Sequence, residues 1–589
     1  MGEVSEGRSM SVFRQKNALS SAEFEGFRGI DARLSRNSLP FATDMANFKL
    51  CEDGSLQKRC GFMPISSFSS NIRAVWSGKL DGRERVFVIH SNNVSSVDPI
   101  TLSVTKIGNI QSNDGHANFI FFDSNLYLKD ALGFYLVKSD GVKAVEGYAP
   151  LYAKDWTSAA VGEVNEPLNL ISRHIRMTYT VTEPNIYLRV EHQISSIDAV
   201  YVNGILRTDP NSYYFDSTLM CVCVLNMQVG DKVELYLTLG AFHFDNMDRL
   251  LECEHAFVYG GSSSSRFFLW GDSQGNTVYG SSDIDDASFE DSKKVYPDSM
   301  PLYVKQNSAF PMGREKKRIT AVCRHYDRLL IFTEDDTWMV EEPAADGEPL
   351  DAITVNSTYG CTSSCGALIL GNDPICISDG AILKWTSDTD ELNECNAYSI
   401  SDEIGNRLDA SFFENAVIFA DKKRGELYFS DPTDENGTLW IYAARAKNWY
   451  KYDGIGAESL LEINGKIAFS KEKTLYIFDS SAGSDTLAAG DVRTITAYFE
   501  SLPQDLSAAE NKKRLCGMSL DAQMEDSSLC VEYISRGRVI STVKVEAEGS
   551  CEKHEKRRLN SPRFNCVSVR LTSSGNGKTK IFSTGVWTK

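Results

Sequence analysis

A strand–turn–strand unit recurs along the chain, and this repetition limits the possible folds more than any other feature. Each copy consists of an apolar strand, a tight turn and a second strand ending near a Tyr or Trp, followed by a polar break. Clear copies begin at Asn118 (NFIFFDSNLYLKDALGFYLVKSDG), Arg328 (RLLIFTEDDTWMVEE), Asp373 (DPICISDGAILKWTS), Asn415 (NAVIFADKKRGELYFS) and Glu458 (ESLLEINGKIAFSKEKTLYIFDS). Successive copies lie roughly 40–50 residues apart, the period of a four-stranded propeller blade. Stacking such sheets around an axis supplies the core that one sheet lacks, so we predict a β-propeller, with unrelated β-meanders as the alternative.

Helix patterns are rare in the rest of the sequence. The best candidates are short and lie around residues 404–412 and 502–513. Turn dipeptides are frequent and favour tight hairpins: Asp53-Gly54, Asp81-Gly82, Asp140-Gly141, Asn203-Gly204, Asp379-Gly380, Asn436-Gly437, Asp453-Gly454 and Asn464-Gly465. A parallel α/β fold needs a helix after nearly every strand. The sequence therefore predicts an all-β protein.

Two regions break the repeat and predict further domains. The region 156–243 alternates strands around the Asn203-Gly204 turn, which is typical of an antiparallel sandwich inserted into the propeller. After a predicted linker, SSAGSDTLAAGD, the chain alternates with period two to its end, which predicts a second sandwich with the basic cluster of residues 553–558 in a loop. The predicted division is an N-terminal arm (1–23), the first part of the propeller (24–155), the inserted β-sandwich as a docking domain (156–243), the remainder of the propeller (244–480) and a C-terminal β-sandwich (481–589).

The charge of the chain and the composition of its segments argue against several classes of protein. The formal charge of -19 argues against a surface that grips DNA phosphates, which needs clustered Lys and Arg. The N-terminal segment does not have the apolar run of a signal peptide, and no stretch of about 18 apolar residues predicts a membrane span. The 14 Cys are scattered through strand-like contexts and are predicted to be free thiols.

The motif search predicts neither catalysis nor a metal or cofactor site. The pairs Cys361/Cys365 and Cys221/Cys223 have no second pair at zinc-binding spacing. Nucleophile-elbow, zincin and phosphate-loop templates are absent from the sequence. Acidic loops such as 283–286 and 334–336 are typical of turns and solvated rims rather than of a glycosidase pair or a calcium site. We therefore predict a non-enzymatic protein without cofactor.

The segment 24–62 resembles the opening of the tail nozzle proteins of tailed bacteriophages, the family of tail tubular protein B and the related stabilisation proteins. The family pattern is a Gly-Ile-Asp stretch, a Pro-x-x-Ala-x-Asp-x-x-Asn unit and an Asp-Gly-x-Leu-x-x-Arg-x-Gly-Phe hairpin. The matching residues are Gly29, Ile30, Asp31, Pro40, Ala42, Asp44, Asn47, Asp53, Gly54, Leu56, Arg59, Gly61 and Phe62. A second likeness covers residues 267–340 and includes Tyr326, Asp327 and Arg328. The resemblance extends over about two thirds of the chain.

The resemblance implies a structural virion protein that forms a ring, with six copies expected, at the end of a short tail or at the head-to-tail joint. Such a ring retains the genome and forms the channel for its ejection. The implied partners are other copies of the chain, an adaptor or portal-side ring, tail fibres or spikes, and DNA in transient passage, with no stable membrane insertion. Assembly is expected in the bacterial cytoplasm and residence in the phage tail. The alternatives are a receptor-binding tail protein and a propeller-based polysaccharide depolymerase, which needs two carboxylates about 5–10 Å apart.

Overall fold

The structure, a computed structural model, describes residues 20–589 except 36, 39, 158–161, 185–186, 241–244, 260–265, 274, 306, 313–316, 327, 341–351, 386–395 and 507–510. Within these residues the chain forms 47 strands and three short α-helices. No helix in the described part of the chain is long and apolar enough to cross a membrane. The cysteines in the described ranges form no disulfide bond. The all-β prediction is confirmed.

The first five strands serve two different parts of the molecule. Strands β1 (Ser20–Glu25), β2 (Ala42–Ala46), β3 (Phe48–Leu50) and β4 (Leu56–Lys58) lie in a sheet with strands from the C-terminal end of the chain. Strand β5 (Gly61–Ser67) instead joins a propeller blade. Sheet membership therefore departs from the predicted division at residue 24, because up to residue 58 the chain pairs with strands about 500 residues away, which no local pattern reveals.

Blades 1 and 2 follow directly. Blade 1 consists of β6 (Ile72–Leu80), β7 (Arg83–His90), β8 (Asn93–Val97) and β9 (Val104–Asn109). Blade 2 consists of β10 (Ala117–Phe122), β11 (Asn125–Asp130), β12 (Gly133–Lys138) and β13 (Gly141–Val145). Each is an antiparallel meander, and apolar side chains of the two facing sheets share one buried cluster.

The inserted domain then interrupts the propeller. It has a five-stranded sheet of order β14-β15-β21-β17-β18 and a three-stranded sheet of order β16-β20-β19 around one apolar cluster. The predicted inserted sandwich is confirmed. Its strands are β14 (Leu151–Thr157), β15 (His174–Thr180), β16 (Tyr187–Arg189), β17 (Ile194–Val202), β18 (Ile205–Leu206), β19 (Tyr213–Asp216), β20 (Cys221–Val224) and β21 (Lys232–Leu239).

Blades 3 to 6 resume after helix α1 (Asp245–Glu252). Blade 3 consists of β22 (His255–Tyr259), β23 (Arg266–Trp270), β24 (Thr277–Gly280) and, after helix α2 (Asp286–Lys293), β25 (Ala309–Pro311). Blade 4 consists of β26 (Ile319–His325), β27 (Arg328–Thr333), β28 (Thr337–Val340) and β29 (Ala352–Asn356). Blade 5 consists of β30 (Ala367–Leu370), β31 (Asp373–Ser378), β32 (Ala381–Trp385) and β33 (Ala397–Ser399). Helix α3 (Ala410–Asn415) leads to blade 6, which consists of β34 (Val417–Asp421), β35 (Glu426–Ser430), β36 (Leu439–Ala443) and β37 (Asn448–Tyr452). The helix predicted around residues 404–412 is confirmed in part: the structure has a 3-10 turn at Gly405–Arg407 and the α-helix α3 starts only at Ala410.

Blade 7 closes the ring. It combines β38 (Ser459–Ile463), β39 (Lys466–Lys471) and β40 (Thr474–Asp479) with β5 from the start of the chain. First strands of neighbouring blades contact one another, and an apolar cluster joins blades 3 and 4. The seven four-stranded sheets therefore form a seven-bladed propeller whose first strands are innermost, and the predicted propeller is confirmed.

The C-terminal strands form the second predicted sandwich. They begin with the hairpin β41 (Ser484–Thr486) and β42 (Val492–Thr494), then β43 (Ala497–Ser501), β44 (Leu515–Ser535), β45 (Arg538–Arg558), β46 (Ser568–Gly575) and β47 (Thr579–Thr588). The first half of β44 pairs with β47 and its second half with β46, and the register shifts near Asp526, where φ is +39°. Apolar side chains of β44 face one core shared with blades 5 to 7.

Three local predictions in this region are wrong. The predicted linker, residues 480–491, contains strand β41, which pairs with β42 directly after it, and Asp485 of β41 forms a buried ion pair. The helix predicted near residues 502–513 is absent from the described residues there, since Gln504 and Lys513 form β-bridges to residues 567 and 564. The basic cluster of residues 553–558 lies in strand β45, not in a loop, and pairs with β44. Charged side chains on an edge strand discourage pairing with other chains.

Candidate functional site: the junction between propeller and C-terminal sandwich

Residues of the N-terminal motif converge where blades 6 and 7 meet the C-terminal sandwich, a region we call the junction. The backbone N–H of Ile30 donates to the carbonyl of Trp449 in blade 6 at 2.8 Å, and that of Ala42 donates to the carbonyl of Gly29 at 3.0 Å. A Cβ on Gly29 would lie 2.1 Å from the Trp449 carbonyl oxygen. Only glycine permits this approach of two backbones, which explains the Gly in the Gly-Ile-Asp stretch.

Polar contacts also hold the motif residues that follow Gly29 in the sequence. Asp31 is buried and accepts hydrogen bonds from the Arg33 guanidinium at 2.9 and 2.8 Å. The carbonyl of Pro40 accepts from the backbone of Arg28 at 3.1 Å. The Asp44 carboxylate accepts from the Tyr498 hydroxyl of β43 and faces Lys451 of blade 6 at 3.5 Å. Asp44 therefore contacts both the propeller and the C-terminal sandwich.

Arg59 and Asp485 form the centre of the junction. Two guanidinium nitrogens of Arg59 each donate to an oxygen of the Asp485 carboxylate at 2.7 Å, and the two side chains are only 2% and 1% exposed. The guanidinium also lies 5.9 Å from the ring centre of Phe62 and 5.8 Å from that of Tyr452. A buried charge of this kind is tolerated only when it is paired and hydrogen-bonded, and the planar fork of Arg matches a carboxylate.

Asn47 connects this ion pair to both domains. Its side-chain carbonyl accepts from Arg59 Nε at 2.8 Å and from the backbone of Asp453 in the propeller at 3.0 Å. Its amide donates to the carbonyl of Thr496 beside β43 at 2.9 Å. The backbone φ of Asn47 is +60°, a conformation that Asn adopts more readily than most residues. Both the conformation and the amide thus account for Asn at this position of the motif.

The motif hairpin between β3 and β4 turns at the predicted Asp53-Gly54 position, but with positive φ at Gly54 alone, so it is not the primed turn that the dipeptide favours. Gly54 has φ +78°, and a Cβ there would lie 2.7 Å from Gly26 Cα. Asp53 does not share the positive φ. Its carboxylate accepts from Lys580 of β47 at 2.6 Å and from Ser55 at 3.0 Å, and these bonds lower the pKa of Asp53 to about 2. Leu56 is fully buried behind the turn.

The last two motif residues begin the closing strand of the propeller. A Cβ on Gly61 would lie 1.8 Å from the carbonyl oxygen of Ser484, in the strand that carries Asp485. Phe62 packs edge-on against Phe469, Tyr476 and Phe478 of blade 7, at centroid distances of 5.2, 5.2 and 6.2 Å. Closure of the propeller and attachment of the sandwich therefore occur at adjacent residues.

The second stretch of the resemblance lies elsewhere. Tyr326 is half exposed with φ +54° in the turn between β26 and β27 of blade 4, and its carbonyl accepts from Arg324 Nε at 2.6 Å. Arg328 opens β27 opposite His325, and Asp327 lies outside the described residues. The two stretches do not form one site.

Sequence reasoning missed two members of the junction. Asp485 sits among Gly, Ser and Ala residues that are typical of a linker, and it is fully buried. Arg493 donates to the same carboxylate at 2.8 Å from a side chain that is 46% exposed. Neither residue belongs to a recognisable local pattern, and Arg59, the main partner of Asp485, lies more than 400 residues away in the sequence. Only the tertiary structure reveals them.

A polar cleft of about 570 Å³ adjoins the junction and is rich in carboxylates. Asp409 Oδ1 accepts from the backbone of Phe412 at the start of α3, and Asp431 Oδ1 accepts from that of Thr433. Asp434 accepts from the backbones of Asn436 and Thr438. Burial acts to raise the pKa of Asp434, but these bonds outweigh it and the pKa is lowered. Asp409 therefore caps helix α3, and Asp431 and Asp434 cap the backbone of a turn.

Fold and junction together define the class: an all-β protein in which a seven-bladed propeller carries an inserted β-sandwich and a fused C-terminal β-sandwich. No family model and no curated protein matches the chain. Among solved structures, it is similar to the AfRom2 CNH domain, with a TM-score of 0.34 and 6% identity over 71% of this chain and 99% of that one. It is also similar to YCF48 bound to D1 peptide, with a TM-score of 0.34 and 6% identity over 72% and 96% of the two chains. Likeness at this level carries no functional argument, so the propeller assignment rests on strand pairing.

Proposed function

We propose that the protein is a non-enzymatic structural component of a tailed-bacteriophage virion, a ring-forming tail nozzle or head-to-tail closure protein. In this role it retains the genome and forms the channel for DNA ejection, after assembly in the host cytoplasm. The observation that carries the proposal is the convergence of the N-terminal motif residues on one junction. Gly29, Asn47, Arg59 and Gly61 each have a stereochemical reason for their identity there.

The junction suits a protein that transmits force through a ring. It joins the first and last segments of the chain through a desolvated ion pair, so the propeller and the sandwich resist separation. The formal charge of -19 suits a channel wall, since negative walls repel phosphates and let DNA slide. These properties support the proposal together with the resemblance of the motif.

The inserted sandwich is the docking domain in this proposal. Its solvent-facing side chains include large apolar residues that a free surface does not favour: Ile205, Leu206, Tyr214, Leu219 and Val229. Ile205 is 73% exposed at the edge strand β18. Exposed apolar groups of this size often mark protein contacts. The proposed partners are an adaptor or portal-side ring and the tail fibres or spikes.

The full-length protein is expected to form closed rings, with six copies the expected number, because virion joints are built from cyclic oligomers. Light scattering coupled to size-exclusion chromatography gives the mass, and negative-stain class averages show whether a central hole is present. A chain that stays monomeric at its highest soluble concentration, and that is present as single copies in purified virions, contradicts the proposal.

Duplex DNA is expected to bind very weakly at physiological salt, more weakly than the roughly 10⁻⁴–10⁻⁶ M of ordinary non-specific DNA-binding proteins. Fluorescence anisotropy with a labelled duplex over a salt series measures this. Any binding at low salt is expected to fall when Lys556, Arg557 and Arg558 of β45 are changed to Gln, because they lie in its basic cluster. Tight, salt-sensitive binding by the parent protein contradicts the role as a conduit.

A further inference from the structure

Two histidines and a cysteine from distant parts of the sequence meet at the propeller core. One ligand atom each of His116, His255 and Cys365 lies within 4.8 Å of the others. Cys365 Sγ is 3.5 Å from His255 Nδ1, and the two imidazole rings are 4.4 Å apart between centroids. The sequence predicts no metal site because no second ligand pair or His cluster stands at zinc-binding spacing, and these three residues lie 139 and 110 positions apart.

The three residues lie at corresponding places in three blades. His116 directly precedes β10 of blade 2, His255 is the first residue of β22 of blade 3, and Cys365 precedes β30 of blade 5. These are innermost strands, and all three residues lie at or just before their first residues, so the cluster lies at one end of the propeller axis. The backbone N–H of Cys365 donates to the carbonyl of Thr320 at 2.8 Å, beside β26 of blade 4. The chain before β30 therefore reaches across blade 4 towards blades 2 and 3.

The distance between Cys365 and His255 suits a tetrahedral metal ion, and His116 lies within 4.8 Å of both. Zinc binds thiolate sulfur at about 2.3 Å and imidazole nitrogen at about 2.0–2.1 Å, so the two ligand atoms are about 3.6 Å apart in a tetrahedral shell. The observed 3.5 Å between Cys365 Sγ and His255 Nδ1 matches this value. Two imidazoles and a thiolate are a ligand set that zinc accepts, with the fourth position left to water.

The backbone and the packing hold the ligands in place. Cys365 has φ +58°, a strained conformation for a residue with a side chain, and such strain occurs often at functional sites. The His255 ring stacks on Trp270 at a centroid distance of 5.3 Å and 22° between planes, which limits its rotation. Ring orientation is thus set before any ion arrives.

Burial lowers the pKa of both imidazoles: that of His255 falls to about 3, with further contributions from His116 and Arg318, and that of His116 is lowered as well. Cys365 has surface open to solvent, but surrounding protein atoms raise the pKa of its thiol to about 11. Arg73 also lowers the pKa of His116. Its guanidinium donates hydrogen bonds to the backbone carbonyls of Ser91, Ser112, Asp114 and Gly115.

We propose that His116, His255 and Cys365 bind one Zn²⁺ ion that links blades 2, 3 and 5 at one end of the propeller axis. Binding replaces the thiol proton: the Zn–S bond forms, the S–H bond breaks, and the proton leaves to solvent. The ion connects blade 5 to blades 2 and 3 across the intervening blade 4, and its fourth position stays open to water. This inference does not depend on the proposed virion role.

Isothermal titration of the metal-free, full-length protein with Zn²⁺ tests the proposal. One ion per chain is expected, with a rise in melting temperature upon addition of zinc, since a ligand that binds only the folded state stabilises it. With Co²⁺ as the probe, a thiolate-to-cobalt charge-transfer band in the near ultraviolet is expected. The absence of binding, or cobalt binding without that band, overturns the site.

Variants assign the ligands. Cys365→Ser and His116→Gln are each expected to weaken zinc binding at least about tenfold, as even outer-shell changes have effects of that size. The matched controls are Cys516→Ser and His554→Ala, which lie in the C-terminal sandwich and are expected to bind zinc like the parent. Circular dichroism verifies that the variants fold, and Cys365→Ala replaces Cys365→Ser if the latter does not. Unchanged affinity in the Cys365 and His116 variants, or an equal loss in the controls, overturns the assignment.

Discussion

Arg59→Ala is expected to lower the free energy of unfolding by about 3–5 kcal/mol, because it leaves a carboxylate buried without its main partner. The Asp485 side chain is 1% exposed and receives two charged hydrogen bonds of 2.7 Å from Arg59. The same change removes the bond from Arg59 to Asn47, which holds residues of both domains. Urea unfolding followed by tryptophan fluorescence, with the transition that reports the junction fitted separately, measures the loss.

Arg493→Ala is the matched control. Arg493 contacts the same carboxylate at 2.8 Å, but its side chain is 46% exposed, so its removal is expected to cost no more than about 1 kcal/mol. Arg59 and Arg493 thus differ chiefly in burial. If both substitutions cost the same, the buried ion pair is not what holds the junction together.

Gly61→Ala is expected to cost about 3 kcal/mol or more, at the upper end of the range for overpacking, because the obstacle is backbone that cannot rotate away. The added methyl would lie 1.8 Å from the carbonyl oxygen of Ser484. Gly61 starts β5, the strand that completes blade 7, and its N–H donates to the carbonyl of Ala482 at 2.8 Å. A lower melting temperature and faster hydrogen exchange in β5 and β40 are the expected results.

Gly465→Ala is the control within the same blade. Gly465 has φ +79° and open space around the position of a Cβ, so only backbone strain of about 1–2 kcal/mol is expected. Gly61, in contrast, has no positive φ, and its cost is purely steric. An equal loss in both variants, or normal exchange protection of β5 in Gly61→Ala, contradicts the view that close backbone contact requires Gly61.

Local patterns predicted local structure well. The turns Asp81-Gly82, Asn203-Gly204 and Asn464-Gly465 have positive φ at both residues, as the primed hairpin turns require. Short apolar runs bounded by turn residues located strands such as β10, β27 and β39. Local patterns failed where contacts with distant residues determine the structure. Asp485 lies in a hairpin where a linker was predicted. The basic cluster of residues 553–558 lies in a strand that pairs with β44, where a loop was predicted.

The sequence by itself determined the all-β class, the repeating blades and the two sandwiches, because period-two patterns and turn residues act over a few neighbouring positions. It also marked Gly29, Asn47, Arg59 and Gly61 as a motif, without showing what they contact. The tertiary structure alone decided that Arg59 meets Asp485, that β5 closes blade 7, and that His116, His255 and Cys365 share one end of the axis. These contacts join segments more than 100 residues apart, and their stability comes from desolvation and close packing, which depend on the folded surroundings of each residue.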